Sequence, residues 1–426
     1  MNLSLNNDTD ALARDAADPM ARFRGEFLFP RHEGRDLHYF VGNSLGLQPK
    51  GAAKAIADEL ESWATQAVEG HFRGERPWME YHALLREPMA RVVGAEPGEV
   101  TVMNSLTVNL HVLMVSFYRP TAERPAILIE AGAFPSDHQA VASQIAFHGF
   151  DPNTDLIEVA ADGPGGTHTL AGLERVLGEH GKRVALVLWP GVQYRTGQSF
   201  DLIEVARLAR AQGCAVGFDL AHAAGNVPMA LHDSGADFAA WCTYKYLNSG
   251  PGAVAAAFVH ERHANRPDLP RLAGWWGHRA ETRFLMAPEF DPEPGADGWQ
   301  QSNPPILAMA PILASLALFD AATMPALRAK SLALTGWLEA LVDAHLGGVI
   351  EILTPRDPAQ RGAQLSLRVA GGRERGRALF EHLSADGVLG DWREPDVIRL
   401  SPAPLYNRHT DVLAAVRSIR RWADAA

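Results

Sequence analysis

The stretch "RVALVLWPGVQYRTGQSFDLIEVARLARAQGCAVGFD", Arg183 to Asp219, decides the fold. Its ends, "RVALVLW" and "CAVGFD", are short and almost continuously apolar, as strands covered on both faces must be. Between them "FDLIEVARLARAQG" carries apolar residues at helical spacing and stops at a glycine, the usual helix terminator. Strand, helix and strand in that order predict a parallel pair joined by a helical crossover.

Working outward, "EVTVM", "PAILIEA", "DFAAWCTY" and "GAVAAAFV" repeat the strand signature. "SLTVNLHVLMVSFY" and "SDHQAVASQIAFHG" supply further helices between strands. The middle of the chain therefore predicts a large α/β domain, a mostly parallel or mixed sheet with helices on each face. "APEFDPEPGADGW", rich in proline and acid, predicts a loop near residue 290. One long Ala/Leu-rich helical region follows, from Pro305 to about Leu346. The strands "AQLSLRV" and "DVIRLS", each succeeded by a helix, predict a smaller C-terminal α+β domain. No internal repeat is visible.

Composition narrows the function classes. The 426 residues are 47% hydrophobic and 21% charged, ordinary for a globular protein. A net charge of -11 repels a phosphate backbone, so nucleic acid is not an expected partner. The two cysteines, Cys214 and Cys242, lie in apolar segments and are too few for a disulfide scaffold or a common structural zinc site. The opening stretch has no apolar signal core, and its acidic residues do not suit a transit peptide. No apolar run reaches the length of a membrane span. A cytoplasmic protein without membrane contact is the expectation.

Candidate chemistry begins at "WCTYKYLNSGPG", Trp241 to Gly252, where Lys245 stands between two tyrosines after an apolar run. Burial disfavours an ammonium ion, and a neutral amine is what Schiff-base chemistry needs. A strand-end lysine reaching into water is the plain alternative. Asp219 ends the strand of "VGFDLAHAAGN", where ligands of α/β sheets collect, and a carboxylate there suits a protonated ring nitrogen. It would equally serve as a turn or cap residue, and His222 either orients it or fills space. "MNSLTVNLHVL" runs from strand into helix with hydroxyls at Ser105 and Thr107, a seat for an anion or simply an N-cap. "EAGAFPSDHQA" brings Phe134 and Asp137 beyond another strand end, where an aromatic ring stacks on a flat ligand or joins the core.

Nine segments in order, "YFVGNSLGLQPK", "GHFRGERPW", "MNSLTVNLH", "AFPSDHQA", "GFDLAHAAGN", "WCTYKYLNSGPG", "LAGWWGH", "SNPPILAMAPILASL" and "SPAPLYN", resemble the kynureninase family. The resemblance covers nearly the whole chain. It implies a pyridoxal 5'-phosphate enzyme of fold type I, the aminotransferase-like fold, with a mostly parallel seven-stranded sheet. Its implied organisation is an N-terminal segment, 1–48, packing with the small domain, a large cofactor domain, 49–303, and a C-terminal small domain, 304–426. The implied reaction is hydrolytic Cβ–Cγ cleavage of L-kynurenine, or of its 3-hydroxy derivative, to the anthranilate and L-alanine, in tryptophan catabolism.

By that resemblance Lys245 carries the cofactor, Asp219 pairs with its ring nitrogen and Phe134 stacks on the ring. Leu106, Thr107, Asp137, His222 and Tyr244 match further cofactor contacts, and Tyr244 joins Lys245 as an acid-base group. Trp275 and Asn303 match groups that the family supplies from a neighbouring subunit, which implies a homodimer with shared sites. His71 and Asn303 match positions at the substrate's aromatic end, and Arg399 matches the arginine that grips its carboxylate. Arg399 interrupts the apolar run "VIRL", where a guanidinium needs a partner, either a ligand or a structural salt bridge. One departure is Pro190, where some members have serine: proline offers no donor to a phosphate.

Rival readings have anchors too. "GNSLG", Gly42 to Gly46, fits the nucleophile pattern of a serine hydrolase acting through Ser44, although little sheet precedes it to carry such an elbow. A cysteine desulfurase needs a reactive cysteine after the lysine, and both cysteines precede Lys245. A class V aminotransferase needs the same lysine, aspartate and anion seat, and product analysis separates it. A scaffold without catalysis would not need Lys245 and Asp219 together. No Walker loop, H-E-x-x-H or paired-cysteine signature is present.

Overall fold

The computed structural model describes residue 5 and residues 7–425. The very start of the N-terminal segment, residues 1–4 and 6, and the last residue lie outside the described residues.

The central sheet has seven strands: β1 (Val100–Val102), β2 (Ala126–Glu130), β3 (Leu156–Val159), β4 (Val184–Pro190), β5 (Ala215–Asp219), β6 (Phe238–Trp241) and β7 (Ala256–Val259). In space they run β1-β7-β6-β5-β4-β2-β3. Only β7 is antiparallel to its neighbours; the other pairs are parallel. The strand–helix–strand reading of 183–219 is β4, the helix Leu202–Ala211 and β5. β3 escaped the sequence reading because "LIEV" is brief and, at the sheet edge, only its last residue is fully buried.

Register places the chemistry. Asp219 sits level with Pro190 of β4 and Ala240 of β6, so three carboxyl ends share one rim. β7 starts opposite the ends of β6 and β1, Ala256 facing both Trp241 and Val102, so the segment 242–255 that carries Lys245 arches over that rim. Gly217 is required by its neighbour: a Cβ there would lie 2.2 Å from the Phe238 ring across the β5–β6 pair.

The long helical region expected from Pro305 to Leu346 is two helices, Ile306–Ala322 and Met324–His345, bent by 79°. Thr323 between them has φ +67°, and Pro325 follows at the start of the second helix, where its missing N–H costs nothing. The first helix buries Met309, Ile312 and Leu316 against the large-sheet layers; the second buries Leu334, Leu338 and Leu341 in the C-terminal core. No single helix among the described residues is long and apolar enough to cross a membrane.

The C-terminal sheet is antiparallel, ordered Ile350–Ile352, Leu365–Val369, Val397–Leu400, Asp391–Arg393. His38–Tyr39 pairs with Val388–Leu389 beside it, and Val41 bridges Ser401. Those contacts fix the "GNSLG" loop, whose Gly46 N–H donates to the Tyr244 carbonyl at 2.8 Å.

Candidate active site

At the carboxyl ends of β2, β4, β5 and β6 lies a cleft of about 380 Å³. Eight sequence-predicted residues line it together: Leu106, Thr107, Phe134, Asp137, Asp219, His222, Tyr244 and Lys245. They come from four separate segments, which strand order alone brings to one rim.

Lys245 reaches into the cleft with its Nζ 5.9 Å from the Phe134 ring centroid. Among the described residues no carboxylate or other polar group pairs with that nitrogen. The contrast with Lys330 is instructive, because that buried lysine is satisfied by Asp18 at 2.7 Å. Phe134 is 40% exposed, with its edge fixed against Tyr194 at 5.1 Å and 86°, so the rest of the ring is free to cover a planar ligand.

Asp219 Oδ1 accepts the Ala221 N–H at 2.7 Å, which holds the carboxylate at the floor. Asp137 and Glu130 lie beside it. Burial first, and then the Asp219 charge, push the Asp137 carboxyl well above the usual carboxylate range, and burial does the same to Glu130. His222 is held neutral, its pKa driven well below the ordinary value by burial and then by the cations Lys245, Arg399 and Arg393. Its Nδ1 is buried and finds no hydrogen-bond partner among the described residues. Burial raises the Tyr244 phenol above its ordinary value, so at neutral pH it is a donor.

The opposite end is the start of the helix Leu106–Phe117. Ser105 occupies the N-cap with an extended backbone and makes no side-chain capping bond, leaving its hydroxyl, like the first-turn N–H groups, available to an anion. Pro190 lines the same cleft without a donor to offer.

Four predicted residues are not among those lining the cleft. His71 packs edge-on against Trp78 at 5.3 Å. Trp275 is 42% exposed, its indole N–H donating to the Arg283 carbonyl at 3.2 Å, and Asn303 is exposed. Arg399 is fully buried; it ion-pairs with Asp391 and donates to the Tyr194 carbonyl at 2.7 Å. The structural salt bridge anticipated as its alternative is thus present, next to the cleft rather than in its wall.

Sequence reasoning missed Asn43, Glu130, Tyr194 and Arg393, all of which line the cleft. Glu130 carried a signal, since an acid closing the apolar run "PAILIE" at a strand's carboxyl end occupies the same topological position as Asp219. Ser44 also reaches the cleft, yet no histidine hydrogen-bonds to it among the described residues, so the hydrolase arrangement is not assembled. Cys214 and Cys242 are both buried and free, as their apolar surroundings predicted.

The cleft fits pyridoxal phosphate. An unpaired lysine, an anion seat at a helix start, an exposed aromatic face and an excess of carboxyl groups under the centre match an aldehyde, a phosphate, a planar ring and a protonated ring nitrogen respectively.

Comparisons with known proteins agree. Residues 38–369 match the class-V aminotransferase family and residues 327–419 match the kynureninase C-terminal domain. The chain is 65% identical over 416 residues to a kynureninase of Xanthomonas euvesicatoria pv. vesicatoria, covering 97% of this chain and 98% of that one. It is 64% identical over 415 residues to a kynureninase of Stenotrophomonas maltophilia, with the same coverage of 97% and 98%. Among solved structures, a cysteine desulfurase of Thermococcus onnurineus superposes with a TM-score of 0.74 at 16% identity, covering 92% of this chain and 95% of that one. One from Escherichia coli gives 0.74 at 16%, covering 95% and 98%. At that identity the likeness speaks for the fold alone.

Proposed function

This chain belongs to the kynureninase family, and from that premise we propose that its cleft holds pyridoxal phosphate and L-kynurenine and hydrolyses the substrate's Cβ–Cγ bond, releasing anthranilate and L-alanine. The observation that carries the assignment of roles is the unpaired Lys245 facing a floor of three carboxyl groups, Asp219, Asp137 and Glu130.

Lys245 would hold the cofactor through its amine, Ser105, Thr107 and the helix start its phosphate, Phe134 its ring face and Asp219 its ring nitrogen. When bound, the cofactor supplies the electron sink that permits bond breaking next to the substrate's amino group. The chain's own work is then positional and protolytic. Asp219, anchored by the Ala221 N–H, keeps one negative charge beneath the ring. His222, neutral, leaves that charge unopposed from its own side. Lys245 Nζ and the Tyr244 hydroxyl are the groups placed to move protons, one as an amine and the other as a phenol that stays protonated.

The assembly is a homodimer in this proposal. Leu272, Trp275, Phe284, Leu285 and Met286 form an exposed apolar segment that suits an interface, and through it Trp275 and Asn303 would reach the partner's cleft, with His71 also serving the substrate's aromatic end. Sedimentation of the holoenzyme checks this. Activity is tested by anthranilate fluorescence with L-kynurenine and 3-hydroxy-L-kynurenine in turn. A keto acid and aminated cofactor instead of anthranilate and alanine would point to an aminotransferase.

A further inference from the structure

We propose that Arg393 is a second carboxylate-binding residue, acting on the substrate beside Arg399. The inference rests on the cleft being the kynurenine site and adds to it the group that meets the anionic end of the substrate in the open.

Two guanidinium groups share one acid. Asp391 lies directly across from Arg399 in the antiparallel pair, and Arg393, two residues along the same strand, projects to the same face as Asp391. Asp391 Oδ2 accepts from Arg399 Nη2 and, at 3.1 Å, from Arg393 Nη2. The other nearby acids are engaged elsewhere: Glu394 with Arg373 at 2.7 Å, and Asp396 with Arg195 and Arg368 at 3.0 Å each. Two positive charges against one negative leave a net positive charge at this end of the cleft.

Exposure decides which guanidinium presents it. Arg399 has 0% side-chain exposure, its Nη1 and Nη2 donating to the Tyr194 carbonyl and Asp391, so it offers the cleft no open donor, whereas Arg393 is 32% exposed and lines the cleft. Of the Arg393 nitrogens only Nη2 hydrogen-bonds among the described residues, to Asp391; Nε is buried, and Nη1 is left for a ligand. A guanidinium nitrogen left free in the wall of a cleft gives a carboxylate a charge-assisted hydrogen bond. The placement suits an α-amino acid, whose amino and carboxylate groups are separated by a single carbon. Lys245 and Arg393 line the same cleft, so such a ligand would turn its amine toward the one and its carboxylate toward the other.

The test compares L-kynurenine with its α-carboxamide, which keeps the amine and aryl ketone and loses the negative charge. In the wild-type holoenzyme the carboxylate form is preferred. In Arg393→Gln that preference in kcat/KM falls by about tenfold or more, the size of a lost charge-assisted hydrogen bond, through KM rather than kcat. Arg393→Lys, which keeps the charge but not the fork, recovers part of the preference, and the affinity for L-alanine, read from the cofactor's absorption, follows the same order. An Arg393→Gln enzyme with an unchanged melting temperature and the wild-type preference overturns the proposal. If Arg393→Gln does not fold, the Arg393→Lys enzyme decides, and an unchanged preference there overturns it equally. A wild-type enzyme that cleaves neither compound would overturn the assigned reaction, a result distinct from either.

Discussion

Replacing Asp219 by asparagine should move cofactor affinity and stability in opposite directions. The amide is nearly isosteric and keeps an oxygen for the Ala221 N–H, so geometry is retained while the charge is removed. Without the charge, the cofactor's ring nitrogen loses an ion-paired hydrogen bond worth roughly 1.5 to 3 kcal/mol, about 10- to 150-fold in Kd. The cofactor-free protein gains. Two carboxylates about 4 Å apart at an effective dielectric near 20 repel by about 4 kcal/mol, a cost that Asp137 now avoids by keeping its proton. For a carboxyl whose folded pKa is raised, stability is fully present below the unfolded pKa and is lost as pH rises through the folded value. Asp219→Asn lowers that folded value, so cofactor-free Asp219→Asn should be more stable than cofactor-free wild type near neutral pH, by about 1 to 2 kcal/mol, with the difference shrinking in acid. Urea unfolding across pH 5 to 8 and cofactor titration by tryptophan fluorescence read the two quantities. A variant that binds cofactor as tightly as wild type, or that is less stable without it at every pH, would refute the reasoning.

Gly46→Ala should weaken cofactor binding without touching any cofactor contact, because its Cβ would fall 2.2 Å from Asn248 Oδ1 and 2.4 Å from the Lys245 carbonyl; spectral titration that finds wild-type affinity would show that the lysine segment gives way freely. Arg399→Met should raise KM and also destabilise the fold by about 1 to 3 kcal/mol, because the Tyr194 carbonyl loses its donor and Asp391 is left with Arg393 alone; unfolding and steady-state kinetics check the two effects, and a variant with wild-type stability would remove the structural part. Away from the cleft, the His232 ring is hydrogen-bonded to buried Glu99 at 3.0 Å, which raises its pKa. Its stabilising contribution should therefore be present below about pH 6.5 and lost as pH rises through the folded value. His232→Gln should flatten that part of the pH–stability curve, and an unchanged curve would remove the assignment.

The order of apolar runs was enough to read the sheet, because a strand covered on both faces has few polar residues to confuse the pattern. β3 was lost where that condition lapsed, at a half-exposed edge. The bend at Thr323 leaves no mark in the composition, because the helices on both sides of it are rich in alanine and leucine, and Pro325 fits the first turn of a new helix as well as a kink. For the cleft, strand-end logic found Asp219 and Lys245, whose surroundings are set by the residues next to them in sequence. Tyr194 and Arg393 were invisible for the opposite reason. Their roles come from where the loop after β4 meets the C-terminal sheet, across about two hundred residues, and local sequence carries no trace of that meeting. Arg399 shows the intermediate case: its burial was legible in "VIRL", but the identity of its partner, Asp391, was not.

The chain has five lysines, Lys50, Lys54, Lys182, Lys245 and Lys330. Three of them, Lys50, Lys54 and Lys182, are exposed, and Lys330 is buried against Asp18. Borohydride reduction of the cofactor-loaded enzyme, followed by peptide mass mapping, distinguishes them in one experiment. The predicted result is a single pyridoxyl phosphate increment on the peptide containing Lys245, absent from Lys245→Ala together with the visible absorption band and turnover. An increment on any other lysine, or none on a catalytically active preparation, would contradict the account.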